Sequence, residues 1–348
     1  MRKKPFLMLG IALITFFIAV FVLDDSSEYK EQKLSFAFES EQLSATLILP
    51  KNHTPPHPTA VFVHGDGALP YDAYGYYRPF WNHLAKRGIA SFAWDKAGVG
   101  SSSGNWLSQS MEERAEEVIA AIDYLQQHDD IKPDSIGLIG FSQAGWVLPL
   151  VAQKSAYPDF MVNVSGAVNW LDQGDYMMRV RLREKDLSEV AIQQAIEENR
   201  ERLWVFESDS SYEDYLTAHG ASEDEPMSED RYQFAKRNWQ LDSRESIESI
   251  RSPFLAVFGE DDRNVDVAES ARVYRDILTT SQHPDVTIKT WENAQHGLLK
   301  PHLFDTANPG IIYLVKLHML GEDAFADGVL AFVSDWILDR VTGHLRTS

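Results

Sequence analysis

The hexapeptide Gly140-Phe141-Ser142-Gln143-Ala144-Gly145 follows an apolar run, Ile136–Ile139, and precedes a helical pattern that starts at Gln143. A serine on so tight a strand-to-helix turn is held in a strained backbone conformation with its Oγ exposed, and its neighbours must be small. The usual form of this turn is G-x-S-x-G. Here Ala144 takes the place of the second glycine, a mild departure because alanine is also small. The pattern predicts nucleophilic chemistry at Ser142. A serine hydroxyl attacks only when a base removes its proton, so a histidine and an orienting carboxylate must follow along the chain.

Two later loops offer them. Gly259-Glu260-Asp261-Asp262-Arg263-Asn264-Val265 follows the strand pattern Phe254–Phe258, and Asn293-Ala294-Gln295-His296-Gly297 follows Val286–Trp291. Both loops lie at the carboxyl ends of strands, where open α/β sheets place their sites. His296 is the expected base. Glu260, Asp261, Asp262 and Asp266 are all candidates for the acid. The other histidines are expected to be structural or solvated; His53 and His57, beside prolines, read as solvated loop residues.

The elements that must position these groups alternate in type. Phe36–Phe38 and Leu43–Leu49 read as a strand hairpin, Ala60–Val63 as a buried strand, Tyr76–Arg87 as a helix and Ile89–Trp94 as a strand. Ser110 and Glu113 form a capping box, and the helix they open lines Ala115, Val118, Ile119, Ile122 and Leu125 along one face. Strand Ile136–Ile139, a helix from Gln143 and strand Phe160–Val164 follow. Later come strand Phe254–Phe258, helix Val267–Leu278, strand Val286–Trp291 and a final helix near Ala324–Val341. This alternation predicts a mostly parallel sheet covered by helices on both faces.

Residues 170–250 break the alternation, with helical patterns, many aromatics and no strand signal. Between Asp172 and Glu248 there are 20 acidic and 10 basic residues, so this interval carries half of the chain's net charge of −20. It reads as a helical cap inserted between two strands. Its charge reads first as a solvated surface, and the sharper alternative is repulsion of anionic substrates such as acyl-CoA.

At the N-terminus Arg2, Lys3 and Lys4 precede an uncharged apolar run, Phe6–Leu23, closed by Asp24 and Asp25. The run is at the short end of what spans a hydrocarbon core of roughly 30 Å. It ends in bulky residues where a signal peptidase requires small ones, which favours an uncleaved anchor over a secretory signal. The basic residues then place the rest of the chain on the extracytoplasmic side. Cleavage would instead leave a secreted or periplasmic protein. The expected organisation is an anchor or signal over 1–24, a core over 25–169 and 251–348, and the cap over 170–250.

Composition narrows the function classes. The 348 residues include 52 acidic and 32 basic side chains, a balance opposed to binding nucleic acid. The chain has no cysteine, which excludes disulfides, thiolate metal sites and a cysteine nucleophile. No metal motif stands in the sequence, and Gly98-Val99-Gly100 lacks the third glycine and the lysine of a phosphate loop. No cofactor is expected.

Taken together, the Ser142 turn, the Gly259-x-x-Asp262 loop, the Gln295-His296-Gly297 loop, Val63-His64-Gly65-Asp66-Gly67 and Asp95-Lys96-Ala97-Gly98-Val99-Gly100-Ser101-Ser102 resemble the α/β-hydrolase superfamily, serine esterase and acyl-hydrolase type. The resemblance covers roughly 35–169 and 251–340. It implies an α/β-hydrolase fold with a cap, and a triad of Ser142, Asp262 and His296. It also implies an oxyanion hole made by the backbone N–H groups of Asp66 and Gln143. His64 then shapes the loop, and the Asp95–Ser102 run is a structural turn. A serine at the elbow disfavours the superfamily branches that attack with a carboxylate. The implied activity is hydrolysis of carboxylic esters, with a small-molecule acyl substrate and no nucleic acid partner. A peptidase, amidase or thioesterase with the same triad is the alternative, and a non-catalytic binding protein of the same fold is a second.

Overall fold

The computed structural model describes residues 27–220, 225–304 and 310–343. The expected anchor over 1–24 lies outside these residues. Among the described residues no helix is long and apolar enough to cross a membrane.

The described strands form one eight-stranded sheet in the order β1-β2-β4-β3-β5-β6-β7-β8. These are β1 (Tyr29–Phe38), β2 (Glu41–Pro50), β3 (His57–Val63), β4 (Ala90–Trp94), β5 (Ile131–Phe141), β6 (Met161–Val164), β7 (Phe254–Gly259) and β8 (Val286–Trp291). β1 and β2 form an antiparallel hairpin, and β2 also runs antiparallel to β4; the remaining neighbours are parallel. Central strands such as β4, β6 and β7 are buried at every position, as a parallel sheet covered on both faces requires.

Side chains alternate between two cores. On one face Val61 and Val63 join Leu138, Phe254 and Phe258 against helices α2 (Met111–Leu125), α3 (Ala144–Lys154) and α9 (Val267–Thr280). On the other, Ala60 and Phe62 join Ile139, Val162 and Val257 against α1 (Arg78–Ala85) and α11 (Val329–Val341). The capping box at Ser110 and Glu113 is fully formed.

Between β6 and β7 the chain makes a helical excursion: α4 (Trp170–Glu184), α5 (Glu189–Glu201), α6 (Tyr212–His219), α7 (Glu229–Asn238) and α8 (Arg244–Ile247). A small cluster of its own, Val205, Tyr215 and Tyr232, holds part of it together.

Two sequence expectations are corrected. His57 is buried rather than solvated, because β3 starts at that residue and pairs it with Ile131; its ring nitrogen lies 3.3 Å from the Gly88 carbonyl. The final helix starts at Val329, not near Ala324, because Gly328 with φ of +81° begins it after a separate turn over Gly321–Ala324. A further helix, α10 (Ile311–Leu320), was not foreseen.

Candidate active site

β5 ends at Phe141 and α3 begins at Ala144, so Ser142 sits on the turn between them with φ of +51°. Such a value strains a non-glycine residue by an amount on the order of 1–3 kcal/mol. Two backbone bonds hold the turn: the Ser142 N–H donates to the Val164 carbonyl at 2.9 Å, and the Gly145 N–H donates to the Ser142 carbonyl at 2.8 Å. Close packing explains why position 145 is glycine. A Cβ on Gly145 would stand 2.6 Å from the Gly166 Cα.

β7 and β8 deliver the other two residues. Gly259 lets the end of β7 run against the backbone of Ala294 and Gln295, where a Cβ would collide with both carbonyls. That contact brings the Asp262 loop beside the His296 loop. His296 Nδ1 lies 2.9 Å from Asp262 Oδ2 and 3.1 Å from Oδ1. The Asp262 side chain has no solvent exposure, and its Oδ1 also accepts the N–H groups of Asn264 (2.8 Å) and Val265 (3.0 Å). From the excursion, the Tyr176 hydroxyl donates to the Asp262 carbonyl at 2.8 Å. Of the competing acids, Glu260 and Asp261 are exposed, and Asp266 accepts the Glu269 N–H to start α9.

Burial alone would lower the pKa of His296. The charge of Asp262 and its hydrogen bond outweigh burial and raise it above the ordinary 6.5.

Ser142 and His296 line one cavity of about 430 Å³. Its apolar wall includes Leu69, Ala73, Tyr76, Phe141, Leu314 and Leu317, and Asp66 lies at its rim. The Tyr76 hydroxyl donates to the Gly297 carbonyl at 2.7 Å, tying this wall to the histidine loop.

The loop after β3 is gripped by three cations that the sequence reading did not single out. Lys96, buried in the Asp95–Ser102 turn, donates from Nζ to the Gly65 and Gly67 carbonyls at 3.0 Å each and lies 4.2 Å from the Trp106 ring centroid. Across a trans peptide the carbonyl and the next N–H point in opposite directions. Holding the Gly65 carbonyl therefore turns the Asp66 N–H away from Lys96. Arg114, buried on α2, donates to the His64 carbonyl at 2.7 Å and to Gln143 Oε1. Arg231, on α7, donates to both Asp66 carboxylate oxygens at 2.8 and 2.7 Å. Gln143 Nε2 donates to the same carboxylate at 3.1 Å, so Asp66 and Gln143 are joined through their side chains. Burial would raise the Asp66 carboxyl, but the Arg231 guanidinium more than offsets it and holds the group below the usual carboxylate range.

His64 takes a neutral, packed place. Burial drops its pKa to about 3, its Nδ1 lies 3.0 Å from the Tyr77 hydroxyl and its Nε2 lies 2.6 Å from the Trp94 carbonyl.

A parallel sheet with helices on both faces, a strained serine between β5 and α3, and a histidine–aspartate pair beyond β7 and β8 define an α/β-hydrolase. The sequence profile of the serine aminopeptidase S33 family matches residues 54–301, and the chain belongs to that family. No curated protein matches the sequence. Among solved structures, an esterase of Pyrococcus furiosus superposes with a TM-score of 0.55 at 17% identity, over 89% of this chain and 90% of that one. Est1E of Butyrivibrio proteoclasticus, with ferulic acid bound, gives 0.55 at 14% identity, over 90% and 100%. An acylaminoacyl peptidase of Pyrococcus horikoshii gives 0.51 at 14%, over 88% of this chain and 43% of that one. At these identities the likeness is one of fold.

Proposed function

We propose that the protein hydrolyses carboxylic esters through an acyl-enzyme on Ser142. The observation that carries this reading is the His296 Nδ1 bond to a fully buried Asp262, in the cavity that Ser142 also lines. With its proton on Nδ1, the imidazole leaves Nε2 free to accept the Ser142 proton. Oγ then bonds to the ester carbon, and the carbonyl electrons move onto oxygen. The backbone N–H groups of Asp66 and Gln143 receive that oxyanion, each such donor contributing roughly 3–4 kcal/mol. On collapse the C–O bond to the leaving group breaks, and His296 passes its proton to the departing alcohol. Water, deprotonated by His296, repeats the sequence and frees the acid. The apolar wall receives the acyl group, and the helical excursion serves as a cap.

Within the same family an aminopeptidase is the second reading. A peptide's N-terminal ammonium calls for a free carboxylate, and Asp66, the only carboxylate lining the cavity among the described residues, is already engaged by Arg231. That favours esters. The test is labelling by a fluorophosphonate, together with a panel of acyl esters and aminoacyl amides. Ser142→Ala should abolish both labelling and turnover with the fold intact. Near-wild-type turnover by that variant would refute the serine mechanism, and faster cleavage of the amides would refute the ester reading.

A further inference from the structure

Helix α10 is apolar nearly all round, a pattern that ordinarily means burial on every side. It is not buried on every side. Ile311 is 79% exposed, Ile312 71%, Val315 47% and Met319 64%. With 3.6 residues per turn these four side chains share an arc of roughly 100°. On the opposite arc Tyr313, Leu314 and Leu317 line the cavity that holds Ser142 and His296. One helix thus forms the wall of the cavity and an uncovered apolar stripe outside it. Contiguous exposed apolar side chains of this kind mark a surface that something else covers.

The preceding chain indicates what covers it. Ser27, the first described residue, lines a shallow cleft with Tyr29, Leu317, His318 and Gly321, at the C-terminal end of α10. The 26 residues before it contain the uncharged run Phe6–Leu23, behind Arg2, Lys3 and Lys4. An uncharged apolar run of that length is at the short end of what spans the hydrocarbon core of a bilayer. The chain therefore enters the described domain beside the C-terminal end of α10. We propose that the outer face of α10 lies in the surface of a lipid bilayer, its side chains dipping into the acyl-chain boundary as an interfacial helix does. The chain's net charge of −20 makes neutral or zwitterionic headgroups the fitting surface. On the proposed hydrolytic reading, which this contact does not require, esters dissolved in the bilayer would meet the cavity wall directly.

The chain has no cysteine, so a single one can be placed and labelled at will. Full-length Val315→Cys and Ile312→Cys, each in a Ser142→Ala background so that hydrolysis plays no part, are labelled with an environment-sensitive fluorophore. They are then incorporated into phosphatidylcholine vesicles. Val190→Cys, at a cap position 80% exposed, is the reference. The expected result is blue-shifted emission at 312 and 315, quenched at least severalfold more by a lipid-borne quencher than at 190. Labels at 312 and 315 as open to aqueous iodide as the one at 190 would overturn the proposal. So would blue-shifted emission that the lipid-borne quencher leaves untouched, which would mean that protein covers the face, and so would a chain that stays out of the vesicles.

Discussion

Arg231→Gln is the variant that most sharply separates the electrostatics of this site from its architecture. Arg231 belongs to the helical excursion, far in sequence from the loop it grips, and its guanidinium meets both Asp66 oxygens at 2.7–2.8 Å. The two side chains are 33% and 44% exposed, so the pair contributes at most about 1 kcal/mol to stability. For a chain of this size that amounts to roughly 1–2 °C in melting temperature. The effect on turnover should be larger. An oxyanion hydrogen-bonded to the Asp66 N–H at roughly 3 Å would stand on the order of 6 Å from the same residue's carboxylate. Two negative charges at that separation repel by roughly 3 kcal/mol at an effective dielectric constant of 20. Water at this half-exposed position screens the repulsion, leaving about 1–2 kcal/mol. That corresponds to a fall in kcat of roughly 5–30-fold. The assay is kcat and KM on a short-chain nitrophenyl ester, at low salt and in 1 M salt. High salt should restore part of the loss.

The control is Asp66→Asn, which keeps the backbone donor and removes the charge. Alone it should stay near wild type, and Asp66→Asn with Arg231→Gln should recover most of what Arg231→Gln lost. If the double variant is as slow as Arg231→Gln, the guanidinium acts by holding the excursion in place and not by neutralising Asp66. Turnover of Arg231→Gln within twofold of wild type would refute the reasoning altogether.

Asp262→Asn should lower kcat by about 10⁴-fold, because its amide NH₂ facing Nδ1 would favour the tautomer with the proton on Nε2; hydrolysis within tenfold of wild type would contradict the assignment. Catalysis needs neutral His296, whose pKa lies above 6.5, so kcat/KM should rise with pH through a midpoint above that value. The midpoint of the residual activity should fall in Asp262→Asn, read from pH–rate profiles. Gly145→Ala forces a Cβ against the Gly166 Cα and should cost about 1–3 kcal/mol. Calorimetry should show a melting temperature lower by several degrees, and an unchanged value would mean that the two backbones separate freely.

What could be read in the sequence were features encoded by neighbours along the chain. The buried runs of β3, β4 and β7, the capping box at Ser110 and the strand-to-helix turn at Ser142 each need only a handful of consecutive residues. A mostly parallel sheet covered on both faces follows from their alternation, and the motifs' resemblance narrows it to the α/β-hydrolase fold. His296 and Asp262 were legible as a pair because each follows a recognisable strand. The N-terminal half of β1 was not legible, since it is an edge strand paired only with β2, and Lys30, Glu31 and Lys33 give it a polar pattern. Helix α10 carries no side-chain cap at Gly310 and no polar face, so nothing marked its start or period. His57 looked like a loop residue because its burial depends on a partner, Ile131, 74 positions away.

The three cations around the 64–67 loop illustrate the same limit and also resolve a difficulty. On the proposed reading, a carboxylate at position 66 stands beside a developing oxyanion and opposes catalysis if it is alone. It does not stand alone. Lys96 comes from the turn after β4, Arg114 from α2 and Arg231 from α7, and no short stretch of sequence contains any two of them. The first two hold carbonyls of the loop and are buried, so they are fixed parts of the core. Arg231 differs, because it is partly exposed and belongs to the excursion. Its guanidinium is the group that offsets the Asp66 carboxylate, so the charge balance beside the Asp66 N–H rests on a side chain from outside the sheet. On the proposed reading, an aspartate at this position makes turnover depend on Arg231, which a neutral residue there would not do.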